Sequence, residues 1–278
     1  MAVRRIARVG LVTADPAGSE AFYRDALGFE RIGVEERAGG ARVTTLRLGG
    51  ETVELVAYAE PGRPYPPNSA SYDLWFQHFA IVVAPMRDAY ARLRAAGGWT
   101  AISTNGPQRL PESSGGVTAF KFRDPEGHPL ELLEFPPDKV PPAWQGRHGG
   151  GPCLGIDHSA IGVADTVTSV RFYEALGFTV AARSLNQGAE QERLDDAPGA
   201  VVEVTALSIP GAPGPHLELL GYRHPVGRPA PPMRESDVAK TRLVLEADRT
   251  PGQGPLPLSL RDPDGHGLVL VSPQSRAP

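Results

Sequence analysis

The run Ile6-Ala7-Arg8-Val9-Gly10-Leu11-Val12-Thr13-Ala14-Asp15 returns later in the chain as Ile156-Asp157-His158-Ser159-Ala160-Ile161-Gly162-Val163-Ala164-Asp165. A second run, Asp124-Pro125-Glu126-Gly127-His128-Pro129-Leu130-Glu131-Leu132, returns as Asp262-Pro263-Asp264-Gly265-His266-Gly267-Leu268-Val269-Leu270. In each pair one copy holds a side chain able to ligate a metal, His158 or Glu131. The other copy has Arg8 or Val269 in its place. The runs are rich in strand-forming residues. A duplicated β-rich unit therefore sets the architecture, and the differences between copies mark where chemistry has been kept.

Four units follow from this register. The first has a strand over 6–13 and a helix with Ala21, Phe22, Ala26 and Leu27 at helical spacing, capped by Asp15 or Ser19 and ended by Gly28. Strands near 29–35, 42–48 and 52–58 complete it. The second starts at 75–83, with a helix over 85–96 and strands near 99–103, 117–123 and 129–135. A Gly- and Pro-rich loop interrupts it at 105–116. The third has a strand over 156–163, a helix over 166–176 and strands near 177–183, 200–208 and 215–222. The fourth keeps a strand over 239–247 and a hairpin, 256–261 and 267–272. Its Asp248–Gly254 stretch is too short and too rich in Gly and Pro for a helix. The connectors repeat as well: Gly62-Arg63-Pro64 matches Gly227-Arg228-Pro229, which sets Asp73 and His78 against Asp237 and Arg242. The domain expectation is a first half over 1–138, a Pro/Gly-rich linker over 139–154 and a second half over 155–278.

The 278 residues are 41% hydrophobic and 22% charged, as in ordinary globular chains. A net charge of −4 gives no electrostatic reason to expect nucleic acid or an anionic membrane as partner. The single cysteine, Cys153, excludes an intrachain disulfide and a Cys-based zinc cage. Met1 to Ile6 carries two arginines without a long apolar run after them, so neither a signal peptide nor a membrane span is expected. The expected setting is cytoplasmic, with a small-molecule partner and a monomer or homodimer as the assembly.

Two positions recur in every unit, one in the first strand and one in the last. They hold Arg8 and Glu54, His78 and Glu131, His158 and Glu218, and Arg242 and Val269. Alternation puts Glu54 on one strand face with Thr52 and Val56, and Glu131 with Pro129 and Leu133. A carboxylate on a buried face is costly unless it is paired or bound to a cation.

These motifs, with Phe172-Tyr173 and Leu176-Gly177-Phe178, resemble the vicinal oxygen chelate superfamily, which includes glyoxalase I, extradiol dioxygenases and bleomycin-resistance proteins. The resemblance implies an α+β fold of tandem βαβββ modules forming cup-shaped mixed β-sheets, the fourth module shortened. It also implies one divalent metal ion (Fe, Mn, Co, Ni or Zn) held by first-strand His and last-strand Glu positions: His78, Glu131, His158 and Glu218. The departures are Arg8, Arg242 and Val269. Pairing in order gives incomplete sets, whereas pairing units two with three completes one set of four, so the losses favour the crossed arrangement. In the other cup Arg8 and Arg242 are expected to pair with Glu54.

Two imidazoles and two carboxylates leave about two positions of an octahedral ion open for a substrate's adjacent oxygens. The implied function is a metal-dependent isomerase or lyase of glyoxalase type working through an enediolate, with Glu131 or Glu218 leaving the metal to act as base. A non-haem Fe(II) dioxygenase of the extradiol kind and a non-catalytic binding or resistance protein are the alternatives. Gln77, Arg109, Gln191 and Arg193 are candidate substrate contacts, with Tyr72 and Trp75 as further candidates for the cup lining. The blander readings put His128 and His266 in solvated turns, His216 and His224 at the surface, and Phe22-Tyr23 and Phe172-Tyr173 in helix cores.

Overall fold

The computed structural model describes residues 2–37, 39–147, 150–212, 214–248 and 256–273. Unit one runs β1 (Ala2–Val12), α1 (Pro16–Leu27), β2 (Glu30–Arg37), β3 (Ala41–Leu48) and β4 (Glu51–Tyr58). Unit two runs β5 (Gln77–Val83), α2 (Met86–Ala96), β6 (Thr100–Ala101), β7 (Gln108–Arg109), β8 (Thr118–Arg123) and β9 (Pro129–Glu134). Unit three runs β10 (Cys153–Gly162), α3 (Thr166–Ala175), β11 (Thr179–Gln187), α4 (Ala189–Asp195), β12 (Val201–Ser208) and β13 (His216–His224). Unit four runs β14 (Arg242–Asp248), β15 (Leu258–Arg261) and β16 (Gly267–Val271). The expectation for Asp248–Gly254 falls, beyond Asp248, outside the described residues.

Local chemistry accounts for these boundaries. The Asp15 carboxylate accepts from the Gly18 N–H at the start of α1, so Asp15 and not Ser19 is the cap. Gly28 closes the helix with φ 82°, a left-handed conformation that glycine adopts without penalty. Asp165 caps α3 in the same way, accepting from Val167 and Thr168. Three elements lie outside the expected set. The strand β7 and a 3-10 turn over Glu112–Ser114 sit inside the 105–116 loop, and α4 follows Gly188.

The sheets are crossed. Units four and one form a seven-stranded sheet, β15-β16-β14-β1-β4-β3-β2. Units three and two form a nine-stranded sheet, β11-β12-β13-β10-β5-β9-β8-β6, with β7 also paired to β8. At each centre two first strands run antiparallel, pairing Gly10 with Arg242 and Ala160 with His78. Both first strands of the duplicated runs are bulged. Ala7 and Asp157 are each the extra residue in a register shift, between Ile6 and Arg8 and between Ile156 and His158. One apolar cluster draws on both sheets and on α1, α2 and α3. It includes Tyr23, Phe79, Phe120, Phe122 and Tyr173, all essentially buried. Burying each such aliphatic or aromatic side chain contributes roughly 1.5–3 kcal/mol.

The Asp-Pro-x-Gly-His turns are structural corners, which corrects the solvated reading of His128 and His266; both are buried. The His128 ring lies 2.8 Å from Asp124 Oδ2 and 3.0 Å from the Val12 carbonyl, and the Tyr23 hydroxyl donates to Asp124. The Tyr173 hydroxyl donates to Asp262 and His266 meets the Gly162 carbonyl in the same way. These contacts bolt unit two to unit one and unit four to unit three, at right angles in sequence logic to the sheet pairing. The helix tyrosines are thus core residues with a polar task. The connectors cross as well: Arg63 pairs with buried Asp237 and Arg228 with buried Asp73, each at 2.6 Å.

Candidate metal centre

Alternation along five neighbouring strands builds one polar floor on the concave face of the nine-stranded sheet. Ladder pairing sets Lys121 beside Glu131, Glu131 beside Ala80, Ala80 beside His158 and His158 beside His216. One rung away, His78 pairs with Ala160 and Ala160 with Glu218. The two alanines leave space between the imidazoles. The floor lines a cavity of about 310 Å³ whose walls include Leu110, Leu133, Leu194, Val202 and Leu220.

Of the four residues the sequence set apart as ligands, three converge closely. His78, Glu131 and His158 each place one donor atom within 4.8 Å of the others. Donors at about 2.1 Å from one ion lie at most about 4.2 Å apart, so a small adjustment closes the set. His78 Nε2 is 2.8 Å from Glu131 Oε2, yet neither His78 nitrogen has a hydrogen-bond partner among the described residues. A buried imidazole with an unmet nitrogen aimed at a carboxylate fits a cation between them. The bulge turns Asp157 to the His158 ring, where its Oδ2 lies 3.0 Å from Nδ1 and leaves Nε2 facing the cup. A carboxylate behind a ligating histidine fixes the ring and its tautomer. The donor set suits a divalent ion of the hard-to-borderline class.

Glu218 is set differently. Its Oε2 lies 3.5 Å from His158 Nε2, and its Oε1 lies 3.5 Å from His216 Nε2. His216 is not a surface residue as expected: it lines the cavity, and its ring sits 5.2 Å from that of His158. Standing two residues before Glu218 on the same strand, it had to share that face. His224 is exposed, as expected.

The charges set one another. Burial favours neutral Glu131 and Glu218, but His78 and Lys121 around the first, and His158 and His216 around the second, hold both below the usual carboxylate range. Burial also opposes charge on the imidazoles. For His78 it prevails and lowers the pKa, while for His158 the carboxylates of Glu218 and Asp157 win and raise it. An arriving cation must displace that His158 proton.

A second buried network flanks the floor. The Lys121 ammonium donates to Asp195 at 2.6 Å, and Asp195 also accepts from the Gln191 amide at 2.6 Å and the Tyr222 hydroxyl at 2.7 Å. Burial works against the Lys121 charge, but Asp195 and Glu131 overcome it and raise its pKa. Asp195 and Gln191 come from α4, which lies against β7, β8 and β11 and roofs this side of the cup.

The remaining substrate candidates scatter. Gln191 lines the cavity, and its Oε1 is buried without a hydrogen-bond partner among the described residues. Gln77 faces away from the cup, as the neighbour of a cup-facing residue on a strand must, and its amide donates to Ser159. Arg109 is exposed beside Glu112. Arg193 on α4 donates to Gln108 at 2.7 Å, so its guanidinium is used in joining α4 to the 105–116 loop. Tyr72 and Trp75 are also outside the lining: Tyr72 packs on Tyr222, and Trp75 donates to Ser69.

In the seven-stranded sheet, buried Glu54 contacts Arg8 Nε at 2.8 Å and accepts two hydrogen bonds from Arg37 at 2.6 and 2.8 Å. The expected partner Arg242 instead reaches the Tyr58 hydroxyl. Glu54 had already been filled from its own unit's edge strand.

A family model described as Glyoxalase/Bleomycin resistance protein/Dioxygenase superfamily matches residues 5–132. Among solved structures, the chain is similar to glyoxalase I from Zea mays, with a TM-score of 0.62 and 16% identity over 96% of this chain and 92% of that one. It is also similar to a candidate dioxygenase from Bacillus subtilis subsp. subtilis str. 168, with a TM-score of 0.57 and 12% identity over 98% of this chain and 86% of that one. At these identities the likeness is one of fold. No curated protein matches the chain.

Proposed function

We propose that the chain, whose residues 5–132 match the model of the Glyoxalase/Bleomycin resistance protein/Dioxygenase superfamily, carries in its nine-stranded sheet the active site of a divalent-metal-dependent isomerase or lyase of glyoxalase type, acting on a small oxygenated substrate through an enediolate. The observation that carries this reading is the split between the two carboxylates. Glu131 stands with His78 and His158, while Glu218 stands beside them on the same cavity wall.

His78, His158 and Glu131 would hold the ion, which when bound polarises a substrate carbonyl and acidifies the neighbouring C–H. Glu218 then takes that proton onto its carboxylate and returns it to the adjacent carbon, while the substrate's hydroxyl proton passes to the neighbouring oxygen, which completes the isomerisation of a 2-hydroxycarbonyl compound with no other reactant. His216, 3.5 Å from Glu218, steadies the carboxylate between the two transfers. The test follows deuterium incorporation by NMR in heavy water, over a panel of 2-hydroxyaldehydes and 2-hydroxyketones, with enzyme loaded with Mn, Co, Ni or Zn. Exchange that Glu218→Gln abolishes without loss of bound metal is the expected result. No exchange with any member would refute the proton-transfer reading.

The same split favours one second reading. Two histidines and one carboxylate are the ligand count of the non-haem Fe(II) oxygenases. Anaerobic loading with Fe(II), followed by oxygen-uptake measurement with catechols, separates the two: uptake assigns the cup to the oxygenase, and its absence leaves the isomerase.

A further inference from the structure

Among the described residues the second cup has no metal-ligand set, but it has an unbalanced charge. Arg242 occupies the place that His78 holds in the other sheet, and the chain is shaped to seat it. Gly10 lies opposite on β1, where a Cβ would come within 2.9 Å of the Arg242 stem, and Gly267 on β16 would come within 3.3 Å. The corresponding residues of the metal cup are Ala160 and Pro129. Only 15% of the Arg242 side chain is exposed, and its Nε is buried with no hydrogen-bond partner among the described residues. Its hydrogen bond to the Tyr58 hydroxyl, at 3.3 Å, brings no negative charge. Glu54 is taken by Arg8 and Arg37.

Beside Arg242 lies a cavity of about 280 Å³, lined also by Lys240, Arg261, Ser259 and Glu235. Lys240 is buried, and its ammonium meets the Gly265 carbonyl at 3.4 Å. Burial and the cations of Arg261 and Arg242 together push the Lys240 pKa down. Among the described residues, Glu235 is the one carboxylate lining the cavity. It is more than half exposed, 4.0 Å from Arg242 and 3.1 Å from Arg261. Three cations thus face one anion that solvent already screens. A buried guanidinium without a firm counter-charge is costly, and its planar fork is matched to oxyanions.

We propose that this cavity is a second binding site, for a small oxyanion held by Arg242, Lys240 and Arg261 with the Ser259 hydroxyl as a further donor. Both phosphate and carboxylate offer that chemistry. The test is calorimetric titration of the full chain with inorganic phosphate and, separately, with acetate, at ionic strength fixed with chloride. Binding of phosphate, of acetate or of both supports the site, and the tighter anion names the source. Arg242→Gln and Lys240→Gln should each weaken binding by about tenfold or more, the loss of one charge-assisted contact. The exposed variant Arg261→Gln should weaken it with an unchanged thermal transition, which separates lost binding from lost structure. The double variant His78→Ala, His158→Ala should leave it intact. No heat with either anion at tens of millimolar would overturn the proposal. So would affinity indifferent to Arg242→Gln, or affinity abolished by the metal-cup double variant.

Discussion

The rings of His78 and His158 stand 5.7 Å apart, one on β5 from the first half of the chain and one on β10 from the second. An ion between them would tie the halves together and bind the folded state alone, because the unfolded chain scatters its donors. At a free metal concentration a hundredfold above its dissociation constant, such an ion adds about 2.7 kcal/mol to stability. For a chain of this size that is roughly 5–10 °C in Tm. Scanning calorimetry of protein with and without a chelator should show this drop, and elemental analysis should show a divalent ion that the double variant His78→Ala, His158→Ala loses. Equal metal content in the two proteins would sink the metal centre.

Lys121 and Asp195 form a buried ion pair at 2.6 Å, both side chains almost wholly out of solvent. Removing one partner of such a pair strands the other charge, at a cost of about 3–5 kcal/mol, whereas removing both can be close to neutral. Lys121→Met should therefore lower urea-unfolding stability by about that amount, and Lys121→Met combined with Asp195→Leu should recover most of it. The Tyr222 and Gln191 donors make the recovery incomplete. A double variant no more stable than the single one would show that the pair's charges do not depend on each other.

The repeat made the modules legible, and with them the strand positions that bring His78, Glu131, His158 and Glu218 to one cavity, because a residue type recurring in register is hard to produce by chance. What stayed hidden depends on contacts between units. Lys121 sits between Phe120 and Phe122, where sequence alone cannot tell a solvent face from a cup face. Asp157 should point away from His158 by simple alternation, and only the bulge brings it round. The helix α4 has seven residues and one apolar anchor in its last turn, Leu194, too short a segment to show helical periodicity. His128 and His266 resemble turn residues until the partner unit's β1 or β10 supplies a carbonyl.

Gly227 shows how closely the crossed connectors approach. A Cβ there would fall 1.8 Å from the Tyr72 carbonyl oxygen, next to the Arg228–Asp73 clasp. Backbone has no rotamer through which to yield, so Gly227→Ala must open the connector. The expected loss is about 1–3 kcal/mol by chemical unfolding. Gly33 on β2 has nothing within 4 Å of a built Cβ, so Gly33→Ala should stay within about 0.5 kcal/mol of the parent. Equal effects of the two substitutions would refute the steric account.

The His128 corner makes stability depend on pH, with a sign fixed by its partners. The ring faces three acceptors, the Asp124 carboxylate at Nδ1 and the Val12 and Val238 carbonyls at Nε2, so the doubly protonated form has an acceptor for each N–H. Burial opposes charge on each side chain, but Asp124 and Glu126 raise the His128 pKa above its ordinary 6.5, and His128 lowers that of Asp124 below 3.8. The histidine's share of stability is complete below pH 6.5 and is lost as pH rises through its folded value. The aspartate's share is complete above pH 3.8 and is lost as pH falls through its own. The pair therefore contributes most between those two ordinary values. His128→Gln keeps a polar side chain but removes the titration. The stability gap between parent and variant, by urea unfolding, should be widest near pH 5.5 and narrow by on the order of 1 kcal/mol in alkaline buffer. A gap that is flat with pH, or that widens toward alkaline pH, would mean that His128 is held neutral in the corner.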